Sequence, residues 1–490
     1  MPIAATFAEQ KFYLLSDSRR TLLALWALPL SLMLALIVGP ILRDGMFIDG
    51  LAYTNIAKNL YQGHGSLWAP VVDVGGPVFY SHPVLLPYVE SFFFHLLGNH
   101  TYTEDVYNFT VLALTVWLMY LIWKRVAGRR YRAYFFFPLL LFALSQEVQL
   151  RYPNTMLECG MTLILLTFTY LYLRLRERLP WLAVGLTGVG AFLAFLAKGP
   201  VGLFILGLPF LYSLVVERRF RLSVALLPLG VAIACFGILF LLQPAAYDFV
   251  VSYLDRQVLA SVQGRNVENM ASSRFAFMRS LVLLNVPALL LCGALWWIGS
   301  TPPPDRRRNA VFFLLVGASA IFPLVLSPKQ ASYYQIPSLP YFFTGLGLLL
   351  LPRLVGIVDY FVRYRVPRRI LQTIGAVGVV ATAVLALSML GTTDRRDIVP
   401  LAQANRIATV MDSLDYGRYR FVVLGERRRF ESAMSYTVTG FLNRWHDIYR
   451  EYDASAELPT LYLLTEGGVF PTDSGGRVLY VDEQLLLVEE

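Results

Sequence analysis

The chain has 490 residues, 56% of them hydrophobic and only 15% charged, with a mean hydropathy of +0.55; a soluble globular protein carries about 25% charged residues. This excludes a soluble enzyme and points to an integral membrane protein. The net charge of +9 sits in short loops between apolar runs, where topology and anionic headgroups account for it without nucleic acid.

The first apolar run, 21–42, follows Lys11, Arg19 and Arg20 and has no small-residue cleavage site, so it reads as an uncleaved span. A span needs roughly 20 apolar residues. The sequence accommodates about eleven: 21–42, 104–123, 132–147, 155–173, 181–197, 200–216, 222–242, 275–299, 309–326, 335–352 and 370–391. With the N-terminus in the cytoplasm, every second loop is basic. Lys124, Arg125, Arg129 and Arg130 fall inside, as do Arg174, Arg176 and Arg178, then Arg218, Arg219 and Arg221, Arg306 to Arg308, and Arg353 to Arg369. This alternation follows the positive-inside rule and leaves 43–103, 243–274 and 392–490 outside.

The run 83–98 (PVLLPYVESFFFHLLG) is short and holds Glu90 and His95. Counting it as a span would put Lys124–Arg132 outside, so it reads as an interfacial or re-entrant helix. Beyond the membrane part, 1–391, the last hundred residues change character. A helix-like 401–414 and the strand-like runs RFVVLGE, TLYLLTE and RVLYVDEQLLLVEE predict a small α/β domain, 392–490, on the outer face. Cys159, Cys235 and Cys292 lie in apolar runs with no metal or disulfide spacing.

Several polar residues run against this pattern. Asp49 follows the first span and leads DGLAYTNIAKNL. A carboxylate there is either a general base or substrate ligand, or the N-cap of the following helix. Lys198 interrupts VGAFLAFLAKGPVGLFILG and is threaded outside. It either pairs with an anion or snorkels, and Gly199–Pro200 would free backbone N–H groups beside it. Lys329, Tyr333 and Tyr334 sit in SPKQASYYQIP. The tyrosines are hydrogen-bond donors or an aromatic belt. The segment 243–274 offers Arg256 and Arg265 as phosphate forks, or as partners of Asp255 and Glu268 in a solvated loop. Glu147, Arg151 and Glu158 lie at the outer ends of the third and fourth spans, and Glu158, at the start of a span, is expected to be paired or to face substrate. His64, His82, His95 and His100 share the first outside loop with Asp73, Glu90, Glu104 and Asp105, without a recognised metal spacing.

Taken in order, four motifs resemble the GT-C class of membrane glycosyltransferases, with the lipid A aminoarabinose transferases and protein O-mannosyltransferases as nearest kin. They are Asp49 with Ala52–Tyr53, Tyr80–Ser81–His82–Pro83–Val84–Leu85, LAFLAKGPVGL, and SPKQASYYQIPSLP. The resemblance spans roughly 40–350. The chain departs from it at Asn154, where relatives often carry Asp, and at Ser81–His82, where some carry Lys.

The resemblance implies a GT-C architecture in an α-helical polytopic protein of a bacterial inner membrane, with a periplasmic active site. It implies a sugar donor on a polyprenyl phosphate, a lipid, glycan or protein acceptor, and inverting transfer. Asp49 would then be the catalytic base. Tyr53, His82, Glu104, Asp105, Arg151, Glu158, Lys198, Arg256, Arg265, Lys329, Tyr333 and Tyr334 would contact substrate. No metal ligands are assigned, although a divalent ion remains open. Membrane lipids and a monomeric state complete the expectation. The rival is a transporter or flippase of a lipid-linked or anionic solute, which inverted repeats would favour; the sequence has no internal repeat.

Overall fold

A computed structural model describes residues 19–263, 275–297, 302–327, 330–414, 419–424, 433–449, 460–465, 476–481 and 485–489. In chain order the helices are α1 Arg19–Ile41, α2 Ile48–Tyr61, α3 Leu85–Leu97, α4 Thr103–Ala127, α5 Phe136–Leu144, α6 Gln146–Arg151, α7 Leu157–Leu175, α8 Pro180–Lys198 and α9 Leu208–Val215. They continue with α10 Ser223–Leu242, α11 Pro244–Tyr253, α12 Ala276–Leu283, α13 Val286–Trp296, α14 Pro304–Leu326, α15 Leu339–Arg363, α16 Arg365–Leu387, α17 Ile398–Ser413 and α18 Ala433–His446. Among the described residues, each of the eleven sequence spans falls largely on helix. Seven helices among the described residues are long and apolar enough to cross a membrane, or nine if two bent pairs are each counted as one span. The remaining two spans correspond to α7 and to the shorter Pro200–Val215.

The breaks in these helices have local causes. Pro40 lacks an N–H and crowds the preceding turn, and α1 widens there into π-helix over Leu34–Val38. The pair α12 and α13 bends by 67° at Leu284–Asn285, just before Val286–Pro287, where proline disfavours continuing the helix. The helices either side of Ser145 bend by 68°. Helices α10 and α16 bury little of their surface. Exposed Leu229, Ile233 and Leu241, and Val377, Val380 and Val384, are apolar enough to need lipid around them.

The chain divides into two compact units. The first comprises 1–41, 109–153 and 158–390, and holds most of the apolar helices. The second comprises 42–108, 154–157 and 391–490. In the second unit, Met46 and Leu51 share one core with Leu401, Ile407 and Met411 of α17, Phe441 and Leu442 of α18, and Leu461, Leu463 and Leu487 of the sheet. Gly440 lets Leu51 approach the α18 backbone, and Asn55 donates to the Gly440 carbonyl at 3.0 Å. The sheet has four strands, β1 Arg420–Leu424, β2 Thr460–Thr465, β3 Arg477–Val481 and β4 Leu485–Glu489, in the order β1-β2-β4-β3. β1 and β2 are parallel, with α18 lying between them in sequence, and β4 is antiparallel to both neighbours. This is the small α/β fold expected from the strand-like runs.

Candidate functional site

In the first unit the chain brings five of the expected residues together. Helix α8 ends at Lys198 because Gly199 takes φ +88°, a conformation that L side chains rarely adopt. A Cβ at Gly199 would also collide with the Tyr253 hydroxyl. Lys198 is therefore held at a helix terminus, 2% exposed, with its ammonium 2.9 Å from Glu158 on the first turn of α7. Neither Glu158 oxygen accepts a hydrogen bond from a described residue, so the pair is held by charge. Nearby on α6, Arg151 bonds Glu147 at 2.9 Å in an i,i+4 pair. The Tyr333 ring lies under both cations, its centroid 5.1 Å from Arg151 and 5.3 Å from Lys198. Tyr334 packs edge-on against Tyr333 with centroids 4.9 Å apart. The ensemble is two cations, two carboxylates and two phenols in a largely dry setting, where fixed charges act strongly.

Of the other expected residues in this unit, Arg256 is exposed on the π-helical stretch Leu254–Leu259. Arg265 and Lys329 lie outside the described residues.

In the second unit, Asp49 occupies the first turn of α2. The N-cap position belongs to Phe47, whose side chain makes no capping bond. Asp49 is exposed and forms no hydrogen bond or ion pair with a described residue. Its carboxylate thus suits the positive end of the helix and stays open to an incoming group. The turn before it is fixed by residues far away in sequence. The Phe47 N–H donates to Asn154 Oδ1 at 2.7 Å, and Arg396 Nη2 donates to the same oxygen at 3.3 Å. Arg396 lies over the Phe47 ring at 4.3 Å and forks onto Asp397. The Asn154 carbonyl sits where a Cβ on residue 50 would be, which requires Gly50. An amide at Asn154 can take this role as an aspartate would, since both donors reach its side-chain oxygen.

Four residues on from Asp49, Tyr53 is buried, edge-on to Phe79 at 6.3 Å and to His82 at 6.2 Å. Glu104 is buried and claimed by Arg444 of α18, which also donates to Asn99 at 2.5 Å and to the His100 carbonyl at 2.7 Å. Asp105 lies within electrostatic reach of Glu104 and Asp44. Burial raises the carboxyls of both Asp44 and Asp397, the latter despite Arg396. Among the described residues no three His, Cys, Asp or Glu side chains stand close enough to hold a metal ion.

Glu90 adds a titration that sequence reasoning did not isolate. Burial, and secondarily the neighbouring Glu104, push its carboxyl up to about 8, against a hydrogen bond from Thr54 at 2.9 Å. The folded chain prefers the neutral acid. Its stabilisation is complete below the unfolded value of 4.5 and is lost as pH rises through about 8. Melting temperature should therefore fall from mildly acidic to mildly alkaline pH, and Glu90→Gln should flatten that slope; parallel slopes would contradict it.

No family model and no curated protein matches the sequence. Solved structures do match. The structure of ArnT from Cupriavidus metallidurans bound to undecaprenyl phosphate superposes with a TM-score of 0.61 at 13% identity, covering 96% of each chain. ArnT from the same organism in the apo state gives 0.60 at 13% identity, covering 99% of this chain and 98% of that one. The chain has a GT-C-like fold.

Within this fold, the residues that sequence reasoning missed are those that position others. Arg396 and Asp397 hold the turn before Asp49, and Arg444 holds Glu104. The run Asp394–Arg395–Arg396–Asp397, directly after the last span, was a visible signal. Arg444, an ordinary cation on an amphipathic helix, carried none.

Proposed function

We propose that the protein is a membrane glycosyltransferase that moves a sugar from a polyprenyl phosphate to an acceptor hydroxyl or phosphate. The acceptor is carried by a lipid, a glycan or a protein at the outer face of a bacterial inner membrane. The observation that carries this reading is the Tyr333 ring set between Arg151 and Lys198, with Glu158 as counter-ion. Lys198 is buried and Arg151 half-buried, each beside one carboxylate, and both face the same phenol in an apolar helical unit, where such charges are rare and mark a place that handles an anion. The likeness in fold to ArnT, solved with undecaprenyl phosphate, supports a lipid phosphate as that anion.

The chemistry follows from the residues. Asp49 takes the proton of an acceptor hydroxyl as its oxygen attacks the anomeric carbon of the donor. The bond from that carbon to the phosphate oxygen breaks, and the leaving phosphate gathers negative charge. Lys198 and Arg151 supply fixed positive charge for it and Tyr333 or Tyr334 a hydrogen bond; Arg256, Arg265 and Lys329 supply further cations. Direct attack inverts the sugar and uses no covalent nucleophile. Tyr53 and His82 shape the acceptor side. A monomer contains every residue assigned a role.

The test is a transfer assay in nanodiscs with a panel of polyprenyl-phosphate sugars and with lipid, glycan and protein acceptors. The expected result is a glycosylated acceptor and released polyprenyl phosphate in equal amounts. Movement of an intact solute across proteoliposomes, with no bond broken, would favour a transporter.

A further inference from the structure

Five cationic side chains open onto one cavity of about 790 Å3 in the first unit. Lys124 and Arg125 come from the last turn of α4, Arg129 from the 3-10 stretch Arg129–Phe135, Arg174 from the end of α7, and Arg178 from the turn into α8. Glu177 is the one carboxylate in the lining, and it is engaged by Arg125 at 3.1 Å and by Arg176 at 3.3 Å. Lys124, Arg129 and Arg178 form no ion pair with a described residue.

The positive-inside rule demands cations in these loops, but it does not demand that they share a concave wall. Other cations near these loops are used differently. Arg130 and Arg306 lie over the Tyr131 ring at 5.6 and 4.5 Å, and Arg176 lies over Tyr212 at 4.3 Å. The cavity therefore gathers uncompensated charge beyond what orientation needs. Its volume suits a small polar ligand, since ligand pockets run about 300–1,000 Å3. Guanidinium forks match phosphate oxygens in pairs, and cations at a cytoplasmic face meet anionic headgroups.

We infer that this cavity is a phosphate-ester site on the cytoplasmic side, filled either by a phospholipid headgroup or by a soluble phosphate ester. It is independent of the transfer reading and opens on the other side of the threaded membrane.

The test uses the full chain in phosphatidylcholine nanodiscs, titrated with short-chain phosphatidylglycerol in one arm and with glycerol 3-phosphate or inorganic phosphate in the other. Wild type is expected to bind at least one probe. Arg129→Ala with Arg178→Ala should bind it about tenfold more weakly, as loss of charge-assisted hydrogen bonds implies. Arg130→Ala, which removes a cation of the same loop, should bind as wild type does. Saturation by the lipid alone assigns a headgroup; competition by the soluble ester assigns a free ligand. Lys124→Gln, a single change, repeats the comparison if the double variant melts early. Unchanged binding in the cavity variants, equal weakening in Arg130→Ala, or no binding of any probe would overturn the proposal.

Discussion

Glu158→Leu alone is expected to destabilise the protein more than Glu158→Leu combined with Lys198→Met. The single change leaves an ammonium that is 1% exposed without its carboxylate partner. Breaking a buried ion pair from one side costs about 3–5 kcal/mol, whereas replacing both members with apolar groups of similar volume is often neutral or stabilising. Melting in detergent should therefore recover in the double variant. Transfer should not, because the double variant has lost the cation proposed to hold the leaving phosphate. Recovery of both would make Lys198 a structural partner of Glu158 and nothing more. A single variant that melts like wild type would mean that Lys198 finds another anion without Glu158.

The second large effect belongs to Arg444. Its guanidinium is buried and meets Glu104, the Asn99 side chain and the His100 carbonyl, while lying over the Phe94 ring at 4.8 Å. Arg444→Met strands the buried Glu104 and should cost about 3–5 kcal/mol. It also removes the tie between α18 and the residues before α4, so limited proteolysis should cut the second unit earlier. Adding Glu104→Leu should restore much of the loss. Wild-type melting of Arg444→Met would show that Glu104 needs no guanidinium.

These two pairs also show where sequence reading stops. The spans were legible because their cause is local: apolar length sets them and basic loops orient them. Lys198, Glu158, Arg151 and Tyr333 were each legible as polar residues in costly places. Their meeting was not, since Glu158 and Lys198 lie on different helices, and Tyr333 follows a proline-interrupted segment far along the chain. The second unit is assembled from segments hundreds of residues apart. Its joints are the Lys58 ammonium on Asp447 at 2.8 Å, Arg444 on Glu104, Leu51 in the α17–α18 core, and a bridge between Asp44 and Thr393. No periodicity announces such joints. The strand-like runs at the C-terminus and the helix at 401–414 were legible, but the parallel pairing of β1 with β2 depends on the crossover through α18 and has no local signature. Asp49 itself was legible as a base or a cap, and the cap role falls to Phe47 instead.

The central claim is that a carboxylate at Asp49 activates an acceptor for transfer from a lipid phosphate. The most direct measurement is single-turnover transfer by Asp49→Asn beside wild type in the same nanodiscs, with melting temperature recorded for both. Asp49 is exposed and bonded to no described residue, so the amide should cost no more than the lost helix-dipole interaction, about 0.3–1 kcal/mol. A lost general base should slow transfer by about 10²–10⁴-fold. An Asp49→Asn protein that is folded and transfers sugar at the wild-type rate would contradict the account.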